Sequence, residues 1–203
     1  MTANASNLLK LLKDYDSGKS QESDMEAQLA SISIIGPVLK VMNDLIEQRL
    51  LKDYAIGGGV AVLYYAEPVL TYDFDVICAF PQTGVLIDPE PVFNYLQSTG
   101  YLFGKEDQIS IEGVPVQLIP ASEGLVAEAL QQAVPVTISG VETKILSIVY
   151  LIAIMLQLYR PKDRAKLDIL VNNPEVAIDL VTLEQTLTRY DLMKKWERYK
   201  DVG

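Results

Sequence analysis

Residues Tyr54 to Cys78 read YAIGGGVAVLYYAEPVLTYDFDVIC, and the reading of this stretch decides the fold. Tyr54-Ala55-Ile56 is a short strand candidate, ended by Gly57-Gly58-Gly59. Val60 to Tyr65 then reads as a helix start, closed at Glu67-Pro68 because a proline pushes the residue before it out of the helical region. Tyr72 to Phe80 is apolar and bounded by turn signals, which predicts a second strand. Alternation along that strand puts Asp73 and Asp75 on one face, about 7 Å apart, while Phe74 points into the core. Two carboxylates on one face of an apolar strand repel each other unless a cation joins them. A solvated edge strand is the plainer alternative, and the surrounding Tyr72, Phe74, Val76, Ile77, Cys78 and Phe80 argue against it. Oxygen ligands alone favour Mg²⁺ or Mn²⁺. Gly58 and Gly59, between strand and helix, let the backbone turn sharply and offer helix N-terminal N–H groups to a phosphate. By themselves they also fit a tight turn with no ligand.

Upstream, Val38, Val41, Met42, Leu45 and Arg49 form one helical face, with Pro37 expected at the first helical position. Asp16 to Asp24 (DSGKSQESD) reads as a polar joint, preceded by a short amphipathic arm around Leu8 to Lys13. Downstream, Pro91 to Ser98 is predicted helical. Ile109-Ser110-Ile111 and Val114 to Ile119 form a hairpin turning at Glu112-Gly113. Pro115 marks a point where one edge of the second hairpin strand lacks a ladder partner. Leu125 to Gln132 reads as helix and Val134 to Ile138 as strand. From Lys144 onward the chain reads as all-helical, broken at Asn172-Asn173-Pro174 and ending near Trp196. An α+β half therefore precedes a helical half, within one domain or a domain with a helical appendage.

Composition narrows the chemistry. The 203 residues carry 17 Lys and Arg against 27 Asp and Glu, a net charge of −10, with one cysteine and no histidine. The lone Cys78 excludes an internal disulfide framework and a multi-cysteine zinc site, and suits a reducing, cytoplasmic setting. Without histidine there is no Ser-His-Asp or Cys-His nucleophile and no imidazole base. Carboxylates, amines, hydroxyls, backbone amides and a hard metal ion remain. The acidic balance argues against wrapping long nucleic acid, which needs a basic face. The longest apolar run, Ile148 to Leu156, is too short to cross a bilayer and reads as a buried helix.

Against that acidity, Arg160-Pro161-Lys162-Asp163-Arg164-Ala165-Lys166 concentrates cations at a helix start. Cations there oppose the helix macrodipole, which favours a clamp on phosphate charge over a solvated helix end. The strand Val114 to Ile119 carries Gln117 and no carboxylate; Glu112 and Glu123 are the nearest acids.

A hydrophobic residue, Gly58-Gly59 and then Asp73-x-Asp75 on the next strand, separated by Val60 to Tyr72, resembles the signature of the nucleotidyltransferase superfamily with the DNA-polymerase-β-like fold. More closely, the stretch resembles the minimal, AbiEii-like nucleotidyltransferases, several of which are toxin halves of abortive-infection or toxin–antitoxin pairs. The resemblance continues through GVPVQLIPA and LIAIMLQLYRPKDRAKL, covering roughly Lys52 to Lys166. It implies an α+β, nucleotidyltransferase-type mixed sheet flanked by helices, with a C-terminal helical region. The implied division is an arm and joint over 1–24, a nucleotidyltransferase-like unit over 25–140, and packed helices over 141–203. It also implies that Gly58 and Gly59 hold the nucleotide phosphates, with Thr71 nearby, and that Asp73 and Asp75 bind Mg²⁺ or Mn²⁺. By the same resemblance Lys162, helped by Arg160, would neutralise charge on the leaving pyrophosphate, and Asp163 would orient that lysine. The departure is Gln117, where many members of the superfamily carry a third carboxylate that helps activate the acceptor hydroxyl. An amide cannot take a proton.

The resemblance implies a metal-dependent transfer of a nucleoside monophosphate from an NTP to a hydroxyl of an RNA end, a protein or a small molecule. Two other readings stand beside it: a catalytically weak nucleotide-binding regulator, motivated by Gln117, and an interaction module whose leucine arm pairs with a cognate antitoxin. No membrane partner is expected, and a homo-oligomer is left open.

Overall fold

Strand β1 (Asp53–Ile56) and strand β2 (Phe74–Ala79) lie antiparallel, with Tyr54 opposite Cys78 and Ile56 opposite Val76. Helix α2 (Gly58–Tyr65) leaves β1 directly. This computed structural model describes residues 22–66, 74–83, 86–103 and 108–202. Among them, β1 and β2 are flanked by β5 (Leu102–Phe103), β6 (Gln108–Ile111), β7 (Val114–Pro120), β8 (Val134–Ile138) and β9 (Val141–Ile145). The seven strands run in the order β5-β6-β7-β2-β1-β9-β8. The sheet is mixed: β2 pairs parallel with β7 and β1 parallel with β9, while the outer pairs are antiparallel. The short strands β3 (Gln82–Thr83) and β4 (Leu86–Ile87) form a separate ribbon. The fold is α+β, a mixed sheet flanked by helices.

Residues in register share a face of the sheet. Tyr54 and Cys78 face α1 (Glu22–Glu47): the Tyr54 hydroxyl donates to Asn43 Oδ1 at 2.7 Å, and Asn43 donates to the Glu142 carbonyl at 3.0 Å. Burial pushes the Tyr54 phenol up to about 12. Helix α3 (Glu90–Ser98) joins this layer through Tyr95, whose hydroxyl donates to Asp44 at 2.6 Å. On the opposite face, with Asp75 and Ile77, lie α2 and α4 (Gly124–Gln131). The Tyr65 hydroxyl fastens α2 to the Leu146 carbonyl at 2.9 Å. Helix α5 (Ile148–Leu158) is buried along most of its length, as its unbroken apolar run requires. Each fully buried Leu or Ile there contributes about 1.5–3 kcal/mol.

The helices α6 (Pro161–Val171), α7 (Leu180–Arg189) and α8 (Met193–Val202) complete the chain. They close on the same core: Leu167, Leu170, Leu183, Leu187 and Trp196 are all buried in it. One polar knot ties them down. Glu128 of α4 accepts from Tyr150 at 2.6 Å and also bonds Arg189 and Tyr190 at the end of α7. These contacts hold the Glu128 carboxyl below its usual range, the tyrosine hydrogen bonds contributing most.

The hairpin is present as predicted, with Glu112 and Gly113 both at positive φ in its two-residue turn. Pro115 pairs with Ser110 of β6, and among the described residues the pairing of β7 with β2 runs from Val116 to Pro120. Four expectations are corrected. Pro37 does not begin a helix but lies inside α1, which starts at Glu22. Gly36 beside it allows the close approach of Ser139 in the β8–β9 turn, where a Cβ would meet the Ser139 Cβ at 3.1 Å. The joint Asp16 to Asp24 is therefore helical from Glu22; its earlier part and the arm Leu8 to Lys13 lie outside the described residues. Lys144 and Ile145 do not open the helical half but end β9, whose alternation of buried Val141, Thr143 and Ile145 with Glu142 and Lys144 is a strand pattern. Trp196 lies within α8, which continues to Val202.

Candidate active site

The site is built where β1 gives way to α2. Gly57 caps that helix in an extended conformation, and its N–H donates to the Asp75 carbonyl at 2.9 Å. Gly58 follows at φ +54, the left-handed region where a side chain is strained. The space is filled as well. A Cβ on Gly58 would stand 1.8 Å from Asp75 Oδ2 and 2.6 Å from its Cγ. The Asp75 carboxylate thus rests directly over the Gly58 backbone. Gly59, buried in the first turn of α2, follows. The first N–H groups of a helix lack partners within it, so this turn offers donors beside a carboxylate.

Asp75 is partly buried between Phe74 and Val76, both of which point into the core. Its register partner on β7 is Gln117, whose own partner on β6 is Gln108. One row across the sheet therefore carries Asp75, Gln117 and Gln108 on one face. Thr71 and Asp73 lie outside the described residues.

The basic stretch comes to the same face because α6 packs against α2. Tyr159 closes α5 in the left-handed conformation, and its N–H donates to Met155 O at 2.8 Å. Pro161 then opens α6 at the position where its missing N–H is harmless. Asp163 secures the start: Oδ2 accepts from the Arg160 backbone N–H at 3.0 Å and from Arg160 Nε at 2.7 Å. Oδ1 accepts from Arg160 Nη2 at 3.1 Å. Asp163 is buried, so the acid beside Lys162 holds Arg160 and caps the helix. Its charge also meets the unfavourable placing of cations at a helix N-terminus. Asp163 holds the Arg160 guanidinium above its usual range, with a smaller share from Asp75.

Lys162 is exposed, whereas Lys166, one turn on, is half-buried. Burial pulls the Lys166 ammonium below its usual range and Lys162 and Arg160 add to this, while Asp75 and Asp163 oppose it. The sequence reading placed Lys166 in the cation cluster from Arg160 to Lys166 without giving it a role of its own. The signal was the buried stripe Asp163, Leu167 and Leu170 of α6, at whose margin Lys166 falls.

Among the described residues no three His, Cys, Asp or Glu side chains gather around a cation. Mg²⁺ does not require that, being commonly held by one or two carboxylates together with substrate phosphates. The donor chemistry fits such a hard ion: Asp75 offers carboxylate oxygens and Gln117 an amide oxygen, while Cys78 is buried on the other face.

The mixed sheet flanked by helices is an arrangement that solved structures also show. A crystal structure of an antigenic nucleotidyltransferase-like protein from Paracoccidioides brasiliensis shares it, at TM-score 0.50 and 16% identity over 79% of this chain and 90% of that one. The solution structure of the antibiotic-resistance factor ANT(2'')-Ia is similar at TM-score 0.48 and 16% identity, over 84% of this chain and 98% of that one. Its crystal structure with adenylyl-2''-tobramycin gives 0.42 and 17%, over 85% and 98%. No protein-family model matches the chain, and no curated protein sequence matches it. No helix among the described residues is long and apolar enough to cross a membrane.

Proposed function

We propose that this chain is a Mg²⁺-dependent nucleotidyltransferase that moves a nucleoside monophosphate from an NTP to a hydroxyl acceptor. The observation that carries the reading is the seating of the Asp75 carboxylate on the Gly58 backbone, at the start of α2, against which the cation-bearing helix α6 packs. A carboxylate so close to helix N–H groups and lysines is arranged to work with a bound cation and a polyphosphate together. In this reading the N–H groups at the start of α2, from Gly58 and Gly59, orient the phosphates. Asp73 and Asp75 hold the divalent ion, with Thr71 nearby. Bound there, Mg²⁺ or Mn²⁺ supplies charge neutralisation of the triphosphate and of the departing pyrophosphate. Arg160, fixed by Asp163, and Lys162 add positive charge on the leaving-group side.

The acceptor is an RNA end, a protein side chain or a small molecule. The AbiEii-like resemblance extends the proposal to the toxin component of a toxin–antitoxin or phage-defence pair acting in the cytoplasm, with a cognate antitoxin as partner. Growth arrest on expression, relieved by Asp75→Asn, is the outcome that this extension requires.

Thermal unfolding with each NTP, with and without Mg²⁺, tests the core of the reading. At about 100 Kd a true ligand adds roughly 2.7 kcal/mol. Metal-dependent stabilisation of the wild type and its loss in Asp75→Asn are expected; no stabilisation by any NTP refutes the reading. One observation favours a second reading: Gln117 stands in register with Asp75, where a third carboxylate would lie, and an amide cannot accept the acceptor's proton. A nucleotide-binding regulator of this fold would bind NTP without transferring it.

A further inference from the structure

We propose that Lys166, rather than Lys162, is the principal lysine that binds the nucleotide's phosphates; this rests on the reading of the site as an NTP site. Three observations converge on it. Lys166 lies half-buried on α6, the helix that packs against α2, whereas Lys162 is exposed. Asp75, which lies over Gly58, favours the charged form of the Lys166 ammonium, so the lysine stands in the field of the same carboxylate. Among the described residues no hydrogen bond or ion pair engages Lys166, whereas Arg160 is held by Asp163.

The physical argument is one of unmatched charge. A partly buried ammonium has lost some of its water, and it regains that solvation from an anion placed against it. Asp75 attracts it, while Arg160 and Lys162 on the same helix end repel it. A triphosphate carries the charge that such a group lacks. Lys162 meets water freely and gains less from the same contact. The α6 cations thus divide their work: Arg160 and Asp163 secure the helix start, Lys162 adds to the general field, and Lys166 makes the contact.

The test uses the full chain and inorganic tripolyphosphate with Mg²⁺, alongside ATP, GTP, CTP and UTP, with binding measured by calorimetry. Lys166→Met keeps the apolar stem and removes the charge; Lys166→Arg restores a cation. Lys166→Met should weaken binding of tripolyphosphate and of the bound NTP at least tenfold, which is about 1.4 kcal/mol. Lys166→Arg should recover part of that loss, and Lys162→Met, which removes a solvent-exposed charge from the same site, should weaken binding by clearly less than Lys166→Met does. The ligand-free melting temperature of Lys166→Met should equal or exceed that of the wild type, because an unmatched buried charge has been removed. A fall in ligand-free stability with unchanged affinity would mean a structural partner of Asp75 and would overturn the inference. So would a loss in Lys162→Met as large as that in Lys166→Met. If the wild type binds none of these ligands, the NTP reading itself fails; if it binds them and Lys166→Met binds equally well, only this inference fails.

Discussion

Substituting Gly58 by alanine is the sharpest probe of the site's geometry. Two penalties act together. The first is conformational: at φ +54 an L-residue pays for the left-handed backbone, about 1–2 kcal/mol. The second is steric. The new Cβ would lie 1.8 Å from Asp75 Oδ2, 2.6 Å from Cγ and 2.8 Å from Cβ. Because the Asp75 Cβ is itself too close, turning the carboxylate aside does not clear the clash. The start of α2 must move away from β2, against the hydrogen bond from Gly57 N–H to the Asp75 carbonyl. Overpacking of this kind costs about 1–3 kcal/mol. Gly58→Ala should therefore lose about 2–5 kcal/mol of unfolding free energy. Two controls separate the contributions. Gly57→Ala meets only ordinary contacts, Leu146 at 3.4 Å and Ile77 at 3.6 Å, from an extended backbone, and should stay within about 1 kcal/mol of the wild type. Gly113→Ala, at φ +81 with nothing within 4 Å, should show the conformational penalty alone, about 1–2 kcal/mol. Urea unfolding followed by circular dichroism measures all three. A Gly58→Ala protein within 1 kcal/mol of the wild type would refute the seating of Asp75 on that backbone.

Three further outcomes are expected. Asp163→Ala leaves the start of α6 without its cap and frees Arg160, so unfolding free energy should fall by about 1–3 kcal/mol, with partial recovery in Asp163→Asn; urea midpoints check this. Tyr54 is raised to about 12 in the folded protein, so its contribution is complete below pH 10 and is lost as pH climbs from 10 towards 12. Stability measured from pH 9 to 11.5 should decline over that window, and less steeply in Tyr54→Phe. Cys78 is buried and its thiol is pushed up by that burial, so a thiol reagent at pH 8 should label it only in denaturant.

Much of this architecture was legible from patterns of period 2 and 3.6. The alternation of Tyr72 to Phe80 marked β2, the Glu112-Gly113 turn marked the hairpin, and the unbroken run from Ile148 to Leu156 marked the buried α5. What escaped notice had weak local signals. The two-residue strands β3, β4 and β5 are too short to show a period. Lys144 reads equally well as helix or strand, and only pairing with β8 and β1 decides for β9. Pro37 is a helix-start signal overridden by Val38, Leu39 and Met42, which bury one face of a longer helix. At the site, the juxtaposition of Gly58 and Asp75 follows from one strand pairing and was readable. The cation cluster ending at Lys166 was readable too, but what separates Lys166 from Lys162 was not, since burial depends on how α6 meets its neighbours.

The central claim is nucleotidyl transfer at Asp75, and incorporation of label from NTPs carrying a radioactive α-phosphate tests it most directly. Wild-type protein with Mg²⁺, each NTP in turn and a cell extract as acceptor source should give labelled product, and Asp75→Asn should reduce it to background. No incorporation from any NTP, or incorporation that Asp75→Asn leaves unchanged, would contradict the account.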